Sequence, residues 1–241
     1  AASGAASLLP RVDGNPKPRY VPMLFADKVS GLHAVYATLA AVIYRMKTGE
    51  GQYVEVPMYE SIASLNLLEH LCNATFVPPT GTGQWGYPRQ LDPMRQPLRT
   101  QDGYISIAPY VEDRWVRFFE VAGHPEVLRD ERFDTPAKRS ASGSQMYAVA
   151  EAIMPERSTA EWLAILKQAN VPAIQVNEIG DLLTDPQLRA SGLIRHRQHP
   201  TEGEYVEVAQ PVRFAAWDAP ELRHAPAVGE HTQELNRELG L

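Results

Sequence analysis

The sequence holds one cysteine, Cys72, in 241 residues. An internal disulfide is therefore excluded, and a reducing, cytoplasmic setting is expected. No uninterrupted apolar run reaches the ~18 residues that mark a membrane-crossing helix, so no membrane span is expected. Basic residues form no run. The 23 Lys and Arg are scattered among 29 Asp and Glu, for a net charge of -6. Nucleic-acid binding needs a Lys/Arg excess on some face, and none is legible here. The small apolar start, Ala1 to Leu9, lacks a basic segment and does not read as a signal peptide. There is no internal repeat, no low-complexity tract and no Walker A loop. Ser30, Ser61 and Ser106 lack a G-x-S-x-G context, so a hydrolase elbow is not supported. His196 and His199 lie three apart in an expected strand and point to opposite faces, which argues against a metal site.

What is present is ordinary globular material. Hydrophobic residues make up 44% and charged residues 22%, enough for one large domain or two small ones. Residues 10–25 are rich in Pro and basic residues and read as a loop. A long helix is expected over roughly 27–47. Val29, Leu32, Tyr36, Leu39, Ile43 and Met46 recur at spacings of three and four, the face to be buried, and Gly49 and Gly51 end it. Gln52 to Val56 alternates polar and apolar and reads as a strand. Pro57 then opens a second helix at its first position, with Ile62, Leu65, Leu68 and Cys72 on its face and Cys72 as a core residue. Helix, strand, helix suggests an α/β layer, although no strand precedes the first helix.

Residues 77–97 form a long Gly/Pro-rich loop, of the kind that marks a boundary or a function. Leu98 to Thr100 and Tyr104 to Ile107 bracket a hairpin turn. Helices are expected at about 111–122, with Trp115 and Phe118 inward, at 136–153, and after a capping box at Ser158 to Glu161. A short strand at 172–176, a short helix from Thr184 to Gly192, a β region over 193–214 and a final helix complete the pattern.

Two features carry possible chemistry. Asp27 opens the first helix, where backbone N–H groups favour an ionised carboxylate. It reads locally as a cap, and in a pocket it could act as a nucleophile. Gly81-Thr82-Gly83-Gln84-Trp85-Gly86 fits G-x-G-x-x-G but follows no strand, so it is not a dinucleotide fingerprint. It reads as a flexible loop or as a lid over a reactive centre.

The ordered motifs resemble family III CoA-transferases, the CaiB/BaiF group. They are Phe25-Ala26-Asp27-Lys28-Val29-Ser30-Gly31-Leu32-His33, Arg45 to Val56, Tyr59-Glu60-Ser61, Asp102-Gly103-Tyr104-Ile105 and Asp130-Glu131-Arg132-Phe133. Val171-Pro172-Ala173, Asp185-Pro186-Gln187 and Ala225 to Thr232 continue the series. The resemblance implies that Asp27, ahead of Ser30-Gly31, is the catalytic nucleophile. It would attack an acyl-CoA thioester to give a mixed anhydride and then an aspartyl-CoA thioester. An acceptor carboxylate would then enter, and acyl transfer would restore Asp27. Gly81, Thr82, Gly83 and Gln84 look like the family's Gly-rich loop over the nucleophile, with Thr82 where the best-known members carry Gly. Coenzyme A thioester would be substrate, with a small carboxylic acid as acceptor, no resident cofactor and no metal.

The implied fold is α/β, an incomplete doubly wound, Rossmann-like large domain plus a smaller α+β domain, in an interlocked homodimer. On this reading 1–80 belongs to the large domain, 81–97 is linker and loop, and 98–192 is the small domain. Residues 193–241 are a β region and helix returning to the large domain. The chain resembles the C-terminal portion of the family sequence. Most CoA-binding residues would lie in an N-terminal segment on another chain or one not present here. Two further readings stay open. A 2-methylacyl-CoA racemase shares the fold and uses the same Asp for acid/base work, and a half-protein could serve as a non-catalytic assembly partner. Tyr104 to Pro109 followed by Glu112 to Trp115 looks more like a transferase.

Overall fold

The computed structural model describes residues 1–81, 85–109, 112–217 and 220–241. Its contacts divide the chain into two units, Ala1–Val176 and Asn177–Leu241. In the first, a short α1 (Leu9–Asp13) precedes α2 (Phe25–Thr48) and α3 (Met58–His70). Gly49 ends α2 in the left-handed region, its N–H donating to the Arg45 carbonyl, as a helix C-terminal glycine does. Pro57 stands just before α3 as its N-cap rather than inside it.

The long helix packs differently from its sequence pattern. The stripe read as buried is exposed: Leu32, Tyr36, Leu39, Ile43 and Met46 are each more than half accessible. Val29 of that stripe is half-buried, as are Phe25, Ala26 and His33, and the small residues Ser30, Ala34, Ala37 and Ala41, at helical spacings of four, three and four, are also shielded. Small side chains let a second helix approach closely, and α2 packs on α3. On α3, Ile62 is buried but Leu68 is 86% exposed. Cys72 lies beyond the helix, at φ 46° and half-buried, so it is not a core residue. Residues 52–56 form no strand. No strand exists among the described residues of 1–97 to pair with them. By length and composition alone α2 could cross a bilayer, a property hidden in the sequence by the interruptions at His33 and Thr38.

The core lies further along. β1 (Leu98–Arg99), β2 (Tyr104–Ile107) and β3 (Ala173–Gln175) form an antiparallel sheet in that order. Leu98 faces Ile105, and Ile107 faces Ala173. Strand alternation puts Ile105 and Ile107 inward and leaves Tyr104 and Ser106 outward, as a one-sided sheet requires. Against that face pack α4 (Glu112–Ala122), α6 (Gly143–Ile153) and α7 (Thr159–Gln168), whose Phe118, Phe119, Met146, Trp162 and Leu166 are fully buried. Phe118 stacks on Trp162 at 6.0 Å and meets Phe119 edge-on at 5.1 Å, arrangements that suit aromatic quadrupoles. The buried indole N–H donates to the Met154 carbonyl at 2.7 Å.

The helix expected over 136–153 is two helices, α5 (Pro136–Ala141) and α6, broken at Ser142-Gly143, a pair with weak helix propensity. The capping box at Ser158 and Glu161 starts α7. Asp102 also accepts from the Thr159 N–H at 2.7 Å, while the Thr100 and Thr159 hydroxyls meet at 2.7 Å. These bonds fasten the hairpin turn to the helix start, and the Thr159 backbone donor holds the Asp102 carboxyl below its usual range.

The second unit holds α8 (Pro186–Ala190), the antiparallel hairpin β4 (Ile194–His199) and β5 (Gly203–Val208), and α9 (Thr232–Leu239). Asp185 caps α8 by accepting from the Leu188 N–H. Buried His199 closes the hairpin. Its Nδ1 accepts from the N–H groups of Thr201 and Glu202, and its Nε2 donates to the Ala225 carbonyl at 2.8 Å. The structure is mixed helix and sheet, and the two sheets among the described residues are antiparallel.

Two stability tests follow from the first unit. Phe118→Ala, by emptying a fully buried site, should destabilise it by about 3–5 kcal/mol in urea unfolding. His124 is held between Glu156 at 3.1 Å and Glu126 at 3.0 Å. Hydrogen bonds to Glu156 first, then to Glu126, raise its pKa. A raised folded-state pKa gives stability that is complete below the unfolded value and lost as pH rises through the folded one. The urea-midpoint gap between wild type and His124→Asn should therefore be widest below about pH 6.5 and narrow above it.

Candidate functional site

Asp27 is the third residue of α2. The helix begins with Leu24 as its N-cap and no side-chain cap, so Asp27 is not the cap that a local reading favours. Its side chain is exposed. Among the described residues it makes no hydrogen bond or ion pair. Lys28 follows it in sequence. The carboxylate is thus tied to nothing and sits in the first turn, where uncapped N–H groups and the helix dipole favour negative charge.

That turn lines a cleft of about 550 Å³. Its walls are mostly apolar: Ala5, Ala6, Val21, Pro22, Met23 and Leu24 join Tyr20, Phe25, Ala26 and Asp27, with Ile62 from α3. The segment before α2 is shaped by two tight turns, in which Met23 and Phe25 N–H groups each donate at 2.8 Å to the carbonyl two residues back. The Pro-rich stretch read only as a loop therefore builds one wall. Tyr20 and Met23 gave no sequence signal beyond their nearness to Asp27. Ile62 was legible through its helical spacing, though as core and not as a wall of the cleft.

Of the expected Gly-rich loop, Thr82, Gly83 and Gln84 lie outside the described residues. Gly81 is described and does not line the Asp27 cleft. Its φ is +56°, in the left-handed region that favours glycine, and a Cβ there would stand 3.2 Å from Asn73 Nδ2, so that side chain would have to shift. The flanks of the loop are fastened to the end of α3 and beyond. Thr80 N–H donates to the Asn73 carbonyl at 3.2 Å. Gly86 N–H donates to the His70 carbonyl at 2.6 Å, and Tyr87 N–H to His70 Nδ1 at 3.1 Å. Arg11 lies 3.8 Å over the Trp85 ring and donates to the Trp85 carbonyl. His70 is buried and was not singled out by the sequence, where it is simply a basic residue in the last turn of a helix. No group of three or more His, Cys, Asp or Glu is placed to hold a metal among the described residues.

The model of CoA-transferase family III matches residues 1–232. The chain belongs to this family. Among curated relatives of this CoA-transferase family III chain, it is 24% identical over 239 residues to human succinyl-CoA:glutarate CoA-transferase. The match takes in 99% of the chain and 54% of that protein. It is 29% identical to formyl-CoA:oxalate CoA-transferase of Shigella sonnei, covering 100% of the chain and 62% of that enzyme. The chain thus spans little more than half the length of the curated relatives it matches. A CaiB/BaiF family protein from Brucella suis superposes with a TM-score of 0.76 at 24% identity, over 99% of the chain and 61% of that protein. Rv3272 from Mycobacterium tuberculosis gives 0.73 at 24% identity, over 96% and 61%. At these identities the solved structures speak for the fold alone.

The His70 contact is directly testable. His70→Ala removes the acceptor of the Tyr87 N–H and should cost about 1–2 kcal/mol. Hydrogen exchange at Tyr87 should speed up by roughly tenfold or more. Unchanged exchange there would mean that the imidazole does not hold the loop.

Proposed function

We propose that this family III chain carries the nucleophile of an enzyme that moves CoA from an acyl-CoA to a carboxylic acid. One observation carries the reading. In a chain that the family matches over 1–232, Asp27 is an unpartnered carboxylate in the first turn of α2, at the edge of a largely apolar cleft. The names of the relatives support it, since each pairs a CoA thioester with a carboxylic acid.

The chemistry follows from the residue. An Asp27 oxygen attacks the thioester carbonyl, the C–S bond breaks, and CoA leaves as thiolate, giving a mixed anhydride. The thiolate then attacks the Asp27 carbonyl carbon and expels the donor carboxylate, leaving an aspartyl-CoA thioester. An acceptor carboxylate attacks that thioester and displaces the thiolate. The thiolate attacks the acceptor's own carbonyl, which yields the new acyl-CoA and frees Asp27. Every step exchanges one acyl bond for another, so no redox partner enters. Positioning and exclusion of water are what the protein must supply, because a carboxylate is a weak nucleophile in water and an anhydride hydrolyses readily. The first-turn N–H groups of α2 favour the charge that develops beside Asp27. The segment around Gly81, Thr82, Gly83 and Gln84 would cover the intermediate.

The active form would be a cytoplasmic homodimer. In it a doubly wound large domain is completed by the portion of the family chain outside this match, which also brings most of the CoA contacts. A racemase of the same fold would use Asp27 as an acid or base, and the relatives' names favour transfer.

The test is chemical trapping. The protein, alone and together with the rest of a family chain, is incubated with succinyl-CoA or formyl-CoA, treated with hydroxylamine or borohydride, and mapped by mass spectrometry. Modification at Asp27 is expected. Asp27→Ala should abolish it and all transfer while the circular dichroism spectrum is unchanged, since no hydrogen bond is lost. In a parallel incubation with a 2-methylacyl-CoA, exchange of its α-proton in deuterated water without an adduct would replace transfer by racemisation. Silence in both assays would leave an assembly role.

A further inference from the structure

The cleft beside Asp27 is short of one kind of group. Among the described residues, no Lys, Arg or His side chain lines it, and Tyr20 and Asp27 are its only ionisable side chains. Apart from Ser3, the other walls are aliphatic or aromatic, led by Val21, Met23, Leu24 and Phe25. Lys28 follows Asp27 in sequence without joining the lining, and Arg19, just before Tyr20, is ion-paired to Asp13. Tyr20, Met23 and Leu24 are each more than half exposed, so their side chains are open to a ligand. At about 550 Å³ the cleft has the size of a small-molecule site.

The acids named for the relatives, glutaric and oxalic, each carry two carboxyl groups. When one is joined to CoA, the other stays free and ionised near neutral pH. A free carboxylate placed in this cleft would lose water, meet no cationic side chain in the lining and stand near the charge of Asp27. Burying an unpaired charge is strongly unfavourable, and a like charge at close range adds to the cost. An alkyl chain meets the opposite situation, because its burial is favoured in proportion to the apolar area removed from water.

We infer that this cleft holds the acyl group being transferred, and that it selects an apolar alkanoyl group, such as butanoyl or hexanoyl, over one that bears a second carboxylate. Met23 is the specificity-determining residue. Its thioether is unbranched and flexible, and it moulds to aliphatic chains of different shape. Its place is set by the backbone. The Met23 N–H donates to the Val21 carbonyl and the Met23 carbonyl accepts from the Phe25 N–H, each at 2.8 Å, so both turns survive a change of side chain. The inference rests on the transfer reading above and gives that reading a substrate class, one that differs from the dicarboxylic acids in the relatives' names.

The experiment titrates thioesters of N-acetylcysteamine, which carry the acyl group without the nucleotide of CoA, into the 241-residue protein bearing Asp27→Asn. That variant cannot form the aspartyl adduct, so binding is read apart from transfer, through the NMR shifts of the amides of 20–27. The hexanoyl thioester should bind at least about tenfold more tightly than the succinyl one, and about fourfold more tightly per added methylene than the butanoyl one. Met23→Arg, added to that protein, should weaken hexanoyl binding and strengthen succinyl binding, shifting their ratio by at least about fivefold. If Met23→Arg fails to fold by circular dichroism, Tyr20→Arg, at a more exposed position of the same wall, reads the same ratio. Succinyl binding as tight as hexanoyl, a ratio that neither variant moves, or no binding of either thioester would overturn the inference. Trapping of an Asp27 adduct in the wild-type protein with succinyl-CoA would then leave the transfer reading standing. Preferential hexanoyl binding without an Asp27 adduct from any acyl-CoA would overturn transfer at Asp27 while supporting the selectivity of the cleft.

Discussion

The close approach of α2 to α3 is made possible by small side chains. Ser30, Ala34, Ala37 and Ala41 give α2 a flat side, and a helix with a flat side can lie against another without displacing large residues. The candidate site depends on this contact. Ile62 of α3 joins the cleft that the first turn of α2 lines, while the large apolar residues Leu32, Tyr36, Leu39, Ile43 and Met46 of α2 stay exposed. One packing choice therefore forms the wall beside Asp27 and also creates the exposed stripe.

The core of residues 98–171 obeys a different logic. It is closed on itself, with aromatic residues from α4 and α7 stacked over a small antiparallel sheet. Its polar groups are satisfied from within, through the Trp162 indole, the Asp102 carboxylate and the paired hydroxyls of Thr100 and Thr159. One unit therefore combines a satisfied core with an exposed apolar helical face. Asp27 lies in the first turn of that helix.

Under the proposed function this placement has a chemical sense: Asp27 would have no hydrogen bond to surrender before attacking, and its neighbours in the cleft are largely apolar. Fastening both flanks of the Gly-rich segment, through Asn73 on one side and His70 and Arg11 on the other, fixes where that segment begins and ends.

Much of this was legible in the amino-acid order. The inward face of α4, the capping box at Ser158, the turn at Gln101 to Gly103 and the cap at Asp185 are local signals, and each depends only on residues a few positions apart. The nucleophilic role proposed for Asp27 rests on the ordered family motifs, since an Asp at a helix start is usually a cap. Three features were not legible. Periodicity showed that α2 has a large apolar face, but not that its small face would be the one to pack. Alternation at 52–56 showed a strand's pattern, but a strand exists only when another strand pairs with it. The role of His70 depends on a loop returning seventeen residues later to donate to its ring. Spacing along the chain sets what each segment can become. Which side of a helix meets a neighbour, and whether an edge finds a partner, is settled only by surfaces that come together from distant parts of the sequence.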